Sequence, residues 1–150
     1  MIIYLGSDHA GYKLKEKVKA YLLKRGFGVK DFGTGSESSV DYPDFIIPAA
    51  KATVKNKASK GIVFGGTGLG ECVAANKIKG VRAALCYDAY TAKMSREHND
   101  ANVLCLGGRT VTKNWNLTKK ILDIWFSTKF TNEARHVRRL KKITKAERGL

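Results

Sequence analysis

Four glycines fall within six residues at Gly65, Gly66, Gly68 and Gly70, interrupted only by Thr67 and Leu69 and followed at once by Glu71 and Cys72. The run before them, residues 62–64, is short, apolar and β-branched or aromatic, and reads as a buried strand. Val73, Ala74 and Ala75 after them begin a helix with small packing residues. Backbone N–H groups left bare at a helix N-terminus carry partial positive charge and attract anions. The loop therefore predicts a cradle for an oxyanion or a phosphate oxygen. It is not a dinucleotide fingerprint, because after Gly66 and Gly68 the third glycine of G-x-G-x-x-G would have to stand where Glu71 stands, and no G-K-[ST] ending makes it a nucleotide P-loop.

The elements that must position this loop alternate regularly. A strand over residues 1–6 leads through Ser7-Asp8-His9-Ala10-Gly11 into an amphipathic helix ending near Gly26, and residues 28–32 form a second strand. A Gly/Ser-rich loop over residues 33–39 precedes Tyr42 and Pro43, with Pro43 in the first turn of a helix over about 44–56. The glycine stretch supplies the third strand and a third helix closed by Gly80. Residues 81–86 are strand four, 88–97 a helix ending at His98-Asn99-Asp100, and 103–106 strand five, followed by Gly107-Gly108-Arg109. Thr112 or Asn114 caps a helix with Leu117, Ile121, Leu122 and Trp125 on one side, and a last helix over about 132–147 carries Val137, Leu140 and Ile143. Strand-helix alternation of this kind predicts a three-layer α/β/α, Rossmann-like single domain with a five-stranded parallel sheet.

At 150 residues and 43% apolar content the chain is long enough for one real core. Nothing at its start reads as a secretory signal, and no run of about 18 apolar residues predicts a membrane span. A cytoplasmic protein is expected. Cys72, Cys86 and Cys105, odd in number and without C-x-x-C spacing, read as reduced thiols, and with three scattered histidines no metal site is expected. The formal charge of +15 is the compositional outlier, and the last 40 residues hold 11 Lys and Arg against 3 acids. Lys13, Lys15, Lys17 and Lys19 flank a stripe of Leu14, Val18, Tyr21 and Leu22 and should project outward. No helix-turn-helix, RNA-binding aromatic or zinc-finger pattern accompanies the charge, so no nucleic-acid partner is expected.

In such folds ligands bind beyond the carboxyl ends of the strands. Asp8, His9, Tyr42, the residues 65–70 loop and Arg109 all fall on loops at that edge, which predicts one site. His98 ends a helix that has returned to the opposite edge, and Arg135 and Arg139 follow another returning helix. A symmetric dimer laying one subunit's far edge over the other's strand ends would bring both groups together, giving two identical shared sites.

These residues also carry a resemblance. Ser7-Asp8-His9-Ala10-Gly11, Asp41-Tyr42-Pro43, Gly66-Thr67-Gly68-x-Gly70, Ala74-Ala75-Asn76-Lys77, Gly80-x-Arg82-Ala83, His98-Asn99-Asp100-x-Asn102-Val103-Leu104, Gly108-Arg109 and Arg135-His136-x-x-Arg139 together resemble the type B ribose-5-phosphate isomerases and the related galactose-6-phosphate isomerase subunits, from residue 2 to about 145. The resemblance implies an aldose–ketose isomerase without metal or cofactor, dimeric with shared sites and often a dimer of dimers. Many members carry a cysteine base just before G-T-G, where this chain has Gly65. It thus resembles the other branch, in which a glutamate directly after the loop, here Glu71, takes the proton.

The resemblance distributes the remaining roles. Glu71 moves the proton, although an acid in a first helical turn also simply complements the helix dipole. Cys72 is the rival base, but adjacent helical residues point about 100° apart, so only one of the two can face the loop. Thr67 and the N–H groups of Gly66, Gly68, Leu69 and Gly70 form the oxyanion hole. Asp8 and His98 are candidates for ring opening; Asp8 also fits a helix N-cap and His98 a C-terminal helix cation. Tyr42 and Asn99 orient hydroxyls. Arg135 and Arg139, four apart on one helix face, hold the phosphate with His9 and Arg109, while Arg138, Lys141 and Lys142 read as a solvated face. The substrate expected is ribose 5-phosphate, with a six-carbon sugar phosphate or a non-catalytic sugar-phosphate or nucleic-acid binder as the alternatives.

Overall fold

The computed structural model describes residues 1–110 and 114–149. Along the chain run β1 (Ile2–Ser7), α1 (Tyr12–Lys24), β2 (Gly28–Asp31), α2 (Pro43–Lys55), β3 (Lys60–Gly65), α3 (Leu69–Asn76), β4 (Ala83–Leu85), α4 (Ala89–Glu97), β5 (Val103–Gly107), α5 (Trp115–Ser127) and α6 (Ala134–Glu147). All five strands are parallel, in the order β2-β1-β3-β5-β4. The chain leaves β1 toward β2 on one side and reaches β3 on the other. The sheet therefore changes direction between β1 and β3, where the first and third strand-to-helix loops lie side by side.

Alternation along the strands feeds two cores. Ile3, Leu5, Ile62, Phe64, Leu104 and Leu106 face one layer, where Leu14, Val18 and Leu22 of α1 and Ile121, Leu122 and Trp125 of α5 cover them. Val63, Val103 and Cys105 face the other, under Ile46 and Ala50 of α2 and Ala75 of α3. The apolar stripes read from the sequence are the ones buried, because a period of 3.6 on a helix and 2 on a strand leaves one face of each to exclude water.

Local signals set most of the ends. Pro43 occupies the first turn of α2. Asp88 caps α4, its Oδ1 accepting from Thr91 N at 2.7 Å while Thr91 Oγ1 accepts from the Asp88 N–H. Asn114 caps α5 by accepting from Leu117 N at 3.0 Å; Thr112, its rival for that role, lies outside the described residues. Two ends differ from expectation. β4 is shorter than residues 81–86, since it pairs only with β5, and Arg82 N donates to the Asn102 side chain rather than to a strand. α3 begins four residues before Val73, because Gly68 adopts a left-handed φ of +81° and turns the chain directly into the helix.

One lysine departs from the outward reading. Lys15 is 1% exposed and its ammonium meets Asp31 at 2.5 Å, with Lys19 on the same oxygen at 3.0 Å. Lys15 adjoins the Leu14–Val18–Leu22 stripe, so its stem is buried with it and Asp31 at the end of β2 receives the charge. Burial pushes the Asp31 carboxyl up, but hydrogen bonds from Lys15, the Gly33 N–H and Lys19 outweigh it and hold the group below its ordinary 3.8. Replacing Lys15 by Met deletes the charge and keeps the stem, and should cost about 3 kcal/mol of unfolding free energy at pH 7 in denaturant melts. Because the native pKa of Asp31 is depressed, its contribution is present above pH 3.8 and lost as pH falls through the native value, so the difference between parent and variant should shrink in strong acid.

Candidate active site

At the carboxyl edge of the sheet three loops are knit together by main-chain hydrogen bonds. Asp8 N donates to Phe64 O at 3.2 Å, Gly108 N to Gly65 O at 2.6 Å and Arg109 N to Gly66 O at 2.9 Å. The parallel register pairs Ser7 with Phe64 and Gly65 with Gly107, so the loops after β1, β3 and β5 emerge at one level. Asp8, His9, residues 65–70 and Arg109 are brought together by that register alone.

Glu71 is the third residue of α3 and is 3% exposed. Its carboxyl lies against the Cα of Gly65, in the volume that any side chain at position 65 would have to enter. Burial, then the nearby Asp8 charge, push the Glu71 carboxyl above its ordinary value, against hydrogen bonds from its own N–H and the N–H of Gly68. Cys72, one residue on, turns to the sheet as helical geometry requires, and its Sγ donates to Ala83 O at 3.5 Å. A hydrogen bond with Cys105 is the main cause holding the Cys72 thiol down to about 7. The two candidate bases therefore point in different directions, and Glu71 is the one on the glycine loop.

The other residues predicted at this edge arrange themselves around that carboxyl. Asp8 is buried, and its Oδ1 accepts from Gly11 N at 2.9 Å, closing the turn ahead of α1; the N-cap of the helix is Gly11 and carries no side-chain cap, so Asp8 is not the helix N-cap. Its second carboxylate oxygen has no protein hydrogen bond among the described residues. His9 accepts from Val40 N at 3.2 Å through Nδ1, which leaves Nε2 to carry the proton of the neutral ring. Tyr42 lies over Gly70, whose Cβ, if present, would meet the ring at 3.0 Å; Arg109 lies over Gly66 in the same way at 3.6 Å. Thr67 is exposed, and its Oγ1 accepts from Leu69 N at 3.3 Å, so that one of the N–H groups of the loop is already engaged. A cleft of about 450 Å³ opens beside His9 and Arg109, with Lys13, Lys17 and Glu37 on its walls. Lys13 and Lys17 were legible only as surface charge; nothing in a lysine four residues from another says that both border a cleft.

His98, Asn99, Arg135 and Arg139 gather at the opposite edge. The Asn99 carbonyl accepts from Arg82 Nε at 3.0 Å, just ahead of β4. Arg135 Nε meets Glu133 at 2.8 Å on the surface, and Arg139 is exposed with no ion pair among the described residues. The predicted set is thus split into two groups at the two ends of the sheet. Sequence reasoning gave no role to His136, whose ring stacks on that of His98; its place in the Arg135-His136-x-x-Arg139 motif was the one signal available. Among the described residues no group of three or more His, Cys, Asp or Glu is placed to hold a metal ion, and no helix is long and apolar enough to cross a membrane.

Comparison with known proteins places this geometry. The family described as Ribose/Galactose Isomerase matches residues 3–143. Ribose-5-phosphate isomerase B of Escherichia coli is 41% identical over 145 residues, covering 97% of this chain and 95% of that protein. The solved ribose-5-phosphate isomerase B of Clostridium thermocellum superposes with a TM-score of 0.94 at 48% identity, covering 99% of both chains. That of Mycoplasma genitalium, determined with bound ribulose 5-phosphate, superposes at 0.92 and 40% identity over 99% of this chain and 97% of the other. With a family match over nearly its whole length and TM-scores of 0.94 and 0.92 to those structures, the chain belongs to the ribose/galactose isomerase family.

Proposed function

We propose that the protein interconverts ribose 5-phosphate and ribulose 5-phosphate through an enediolate, with Glu71 as the base. The family and its ribose-5-phosphate relatives support the reaction. The observation that carries the choice of base is the seating of the Glu71 carboxyl against Gly65. A cysteine at position 65 would need the space this carboxyl fills, so the two arrangements exclude one another, and here Gly65 admits the glutamate. Its raised pKa moves it toward neutrality, where a carboxylate is a stronger base.

The chemistry runs in three steps. Ribose 5-phosphate is a closed furanose, so a proton must leave the anomeric hydroxyl and another must reach the ring oxygen; Asp8, through its free oxygen, and His98 of the partner subunit serve here. Glu71 then takes the proton from C2. The electron pair passes to O1, and the enediolate so formed faces the glycine-loop N–H groups and Thr67, donors already oriented by α3. Return of a proton to C1, with transfer of the hydroxyl proton from O2 to O1, completes the ketose. No redox partner is required, since C1 is reduced as C2 is oxidised.

The phosphate is held by Arg109 and by His9 through Nε2, with Arg135 and Arg139 of the partner subunit closing over it; Lys13 and Lys17 add a positive approach to the cleft. Tyr42 and Asn99 of the partner subunit orient the hydroxyls. The shared site rests on a homodimer, supported by the division of the residues between opposite edges and by α6. That helix buries only His136, while Val137 and Leu140 are half-exposed and Ile143 is 56% exposed, as expected of a C-terminal helix that reaches a second subunit. Pairing of such dimers into a tetramer is compatible with the same surface. Free thiols at all three cysteines agree with a cytoplasmic location.

Glu71→Gln should lower kcat by about 10²–10⁴-fold, measured as ribose 5-phosphate conversion with EDTA present; a nearly parental rate would remove Glu71 as base. Gly65→Ala should lower kcat as well, since the new methyl must displace the Glu71 carboxyl, and an unchanged rate would contradict the seating argument. The stability of Glu71→Gln has an opposite sign. A native pKa above the ordinary 4.5 means ionising Glu71 opposes folding, so parental stability should decline as pH rises past 4.5 and the variant should lack that decline, melting higher at neutral pH. Sharing has its own test: inactive Glu71→Gln and His98→Ala subunits, allowed to exchange, should form hybrids with one intact site, recovering about a quarter of parental activity in an equal mixture.

A further inference from the structure

The imidazoles of His98 and His136 lie face to face, ring centroids 4.2 Å apart and planes 13° from parallel. We propose that His136 is a positioning residue for His98, its buried ring fixing the plane in which His98 exchanges protons during ring opening. This rests on the assignment of His98 to ring opening and adds to it the residue that makes the geometry reproducible.

The surroundings hold the pair in register. Thr131, just ahead of α6, donates to Glu97 O through both N, at 3.2 Å, and Oγ1, at 3.0 Å, and Glu97 is the residue before His98. His136 N donates to Glu133 O at 2.9 Å in the first turn of α6. The end of α4 and the start of α6 are therefore tied beside both rings. His136 is 3% exposed whereas His98 is half-exposed, so one ring is clamped and the other lies against it in partial contact with solvent.

Packing alone does not explain a histidine there. Nε2 of His136 is buried without a hydrogen-bond partner among the described residues, a cost that phenylalanine or leucine of similar volume would not bear. The electrostatics suit a support for a proton-exchanging ring. Burial, then the charge of His98, then Arg135 lower the His136 pKa below 6.5; Arg139 acts in the same direction and Glu133 opposes. On the α4 side Glu97 pairs with Lys93, and Asp100 is held by Arg82 and Arg96. The lowered value favours the uncharged His136 ring, which can lie in face contact with His98 without the repulsion that two imidazolium ions would suffer.

The two sugar phosphates separate this role from general damage. Ribose 5-phosphate must be opened. Ribulose 5-phosphate has its C5 oxygen phosphorylated, and closure from O4 onto C2 would make a four-membered ring, so it is acyclic. Exchange of its C1 hydrogen with deuterated water therefore needs the base and the enediolate site but no ring opening. In the full-length protein, His136→Ala should lower kcat for ribose 5-phosphate by about tenfold or more with KM little changed, while C1 exchange stays within about twofold of parent. His136→Phe, which restores a flat ring, should recover most of the lost turnover. The proposal is overturned if His136→Ala keeps ribose 5-phosphate turnover, if it loses exchange and turnover in parallel, or if Phe is no better than Ala. His98→Ala provides the separate control: losing neither activity, it would end the assignment of His98 itself, whereas loss there alongside normal His136→Ala would overturn only the positioning role.

Discussion

The contact on which the site depends is that between the Glu71 carboxyl and the bare Cα of Gly65. It joins the last residue of β3 to the first turn of α3, and it exists only because Gly68 turns the chain through a left-handed conformation between them. The carboxyl gains hydrogen bonds from N–H groups at the helix start, yet burial and the neighbouring Asp8 leave it with a raised pKa. A purely stabilising acid at a helix N-terminus would be solvated and depressed. This one is held at an energetic disadvantage when ionised, which supports the proton-transfer role proposed for it.

Around that contact the parallel sheet supplies rigidity. Strand register brings the loops after β1, β3 and β5 to one level, and main-chain hydrogen bonds among Asp8, Phe64, Gly65, Gly66, Gly108 and Arg109 fix them there. The site on this edge is thus built from backbone as much as from side chains, which suits stabilisation of an enediolate, where donors must be oriented before the charge appears. The opposite edge is built differently. His98 stands at the end of α4 and Arg135 and Arg139 in the first half of α6, exposed or half-exposed, and α6 turns an apolar stripe outward, consistent with parts that complete a site only against a second subunit.

Much of the fold could be read from the chain because its signals are local. Periodicity marked the stripes on α1, α5 and the strands, and Pro43, Asp88 and Asn114 marked helix starts, since caps and fixed φ act within a few residues. Where the reading failed, the cause lay in partners distant in sequence. Lys15 flanks the apolar stripe of α1 and so reads as a surface charge, and only Asp31 on another element accounts for its burial. α3 starts earlier than the pattern predicts because a glycine at φ +81° does not announce its handedness in sequence.

Residue types and spacing by themselves determined the order of elements, the glycine loop as an anion cradle, the carboxylate beside it, and which residues sit at which edge of the sheet, because parallel topology follows from alternation and handedness. Only the tertiary structure decided which of Glu71 and Cys72 faces the loop, that burial and then Asp8 raise the Glu71 pKa, and that His136 lies flat against His98. These are contacts between side chains brought together by packing. A contact of that kind depends on rotamers and approach distances to within an ångström, and a linear pattern carries no term for either.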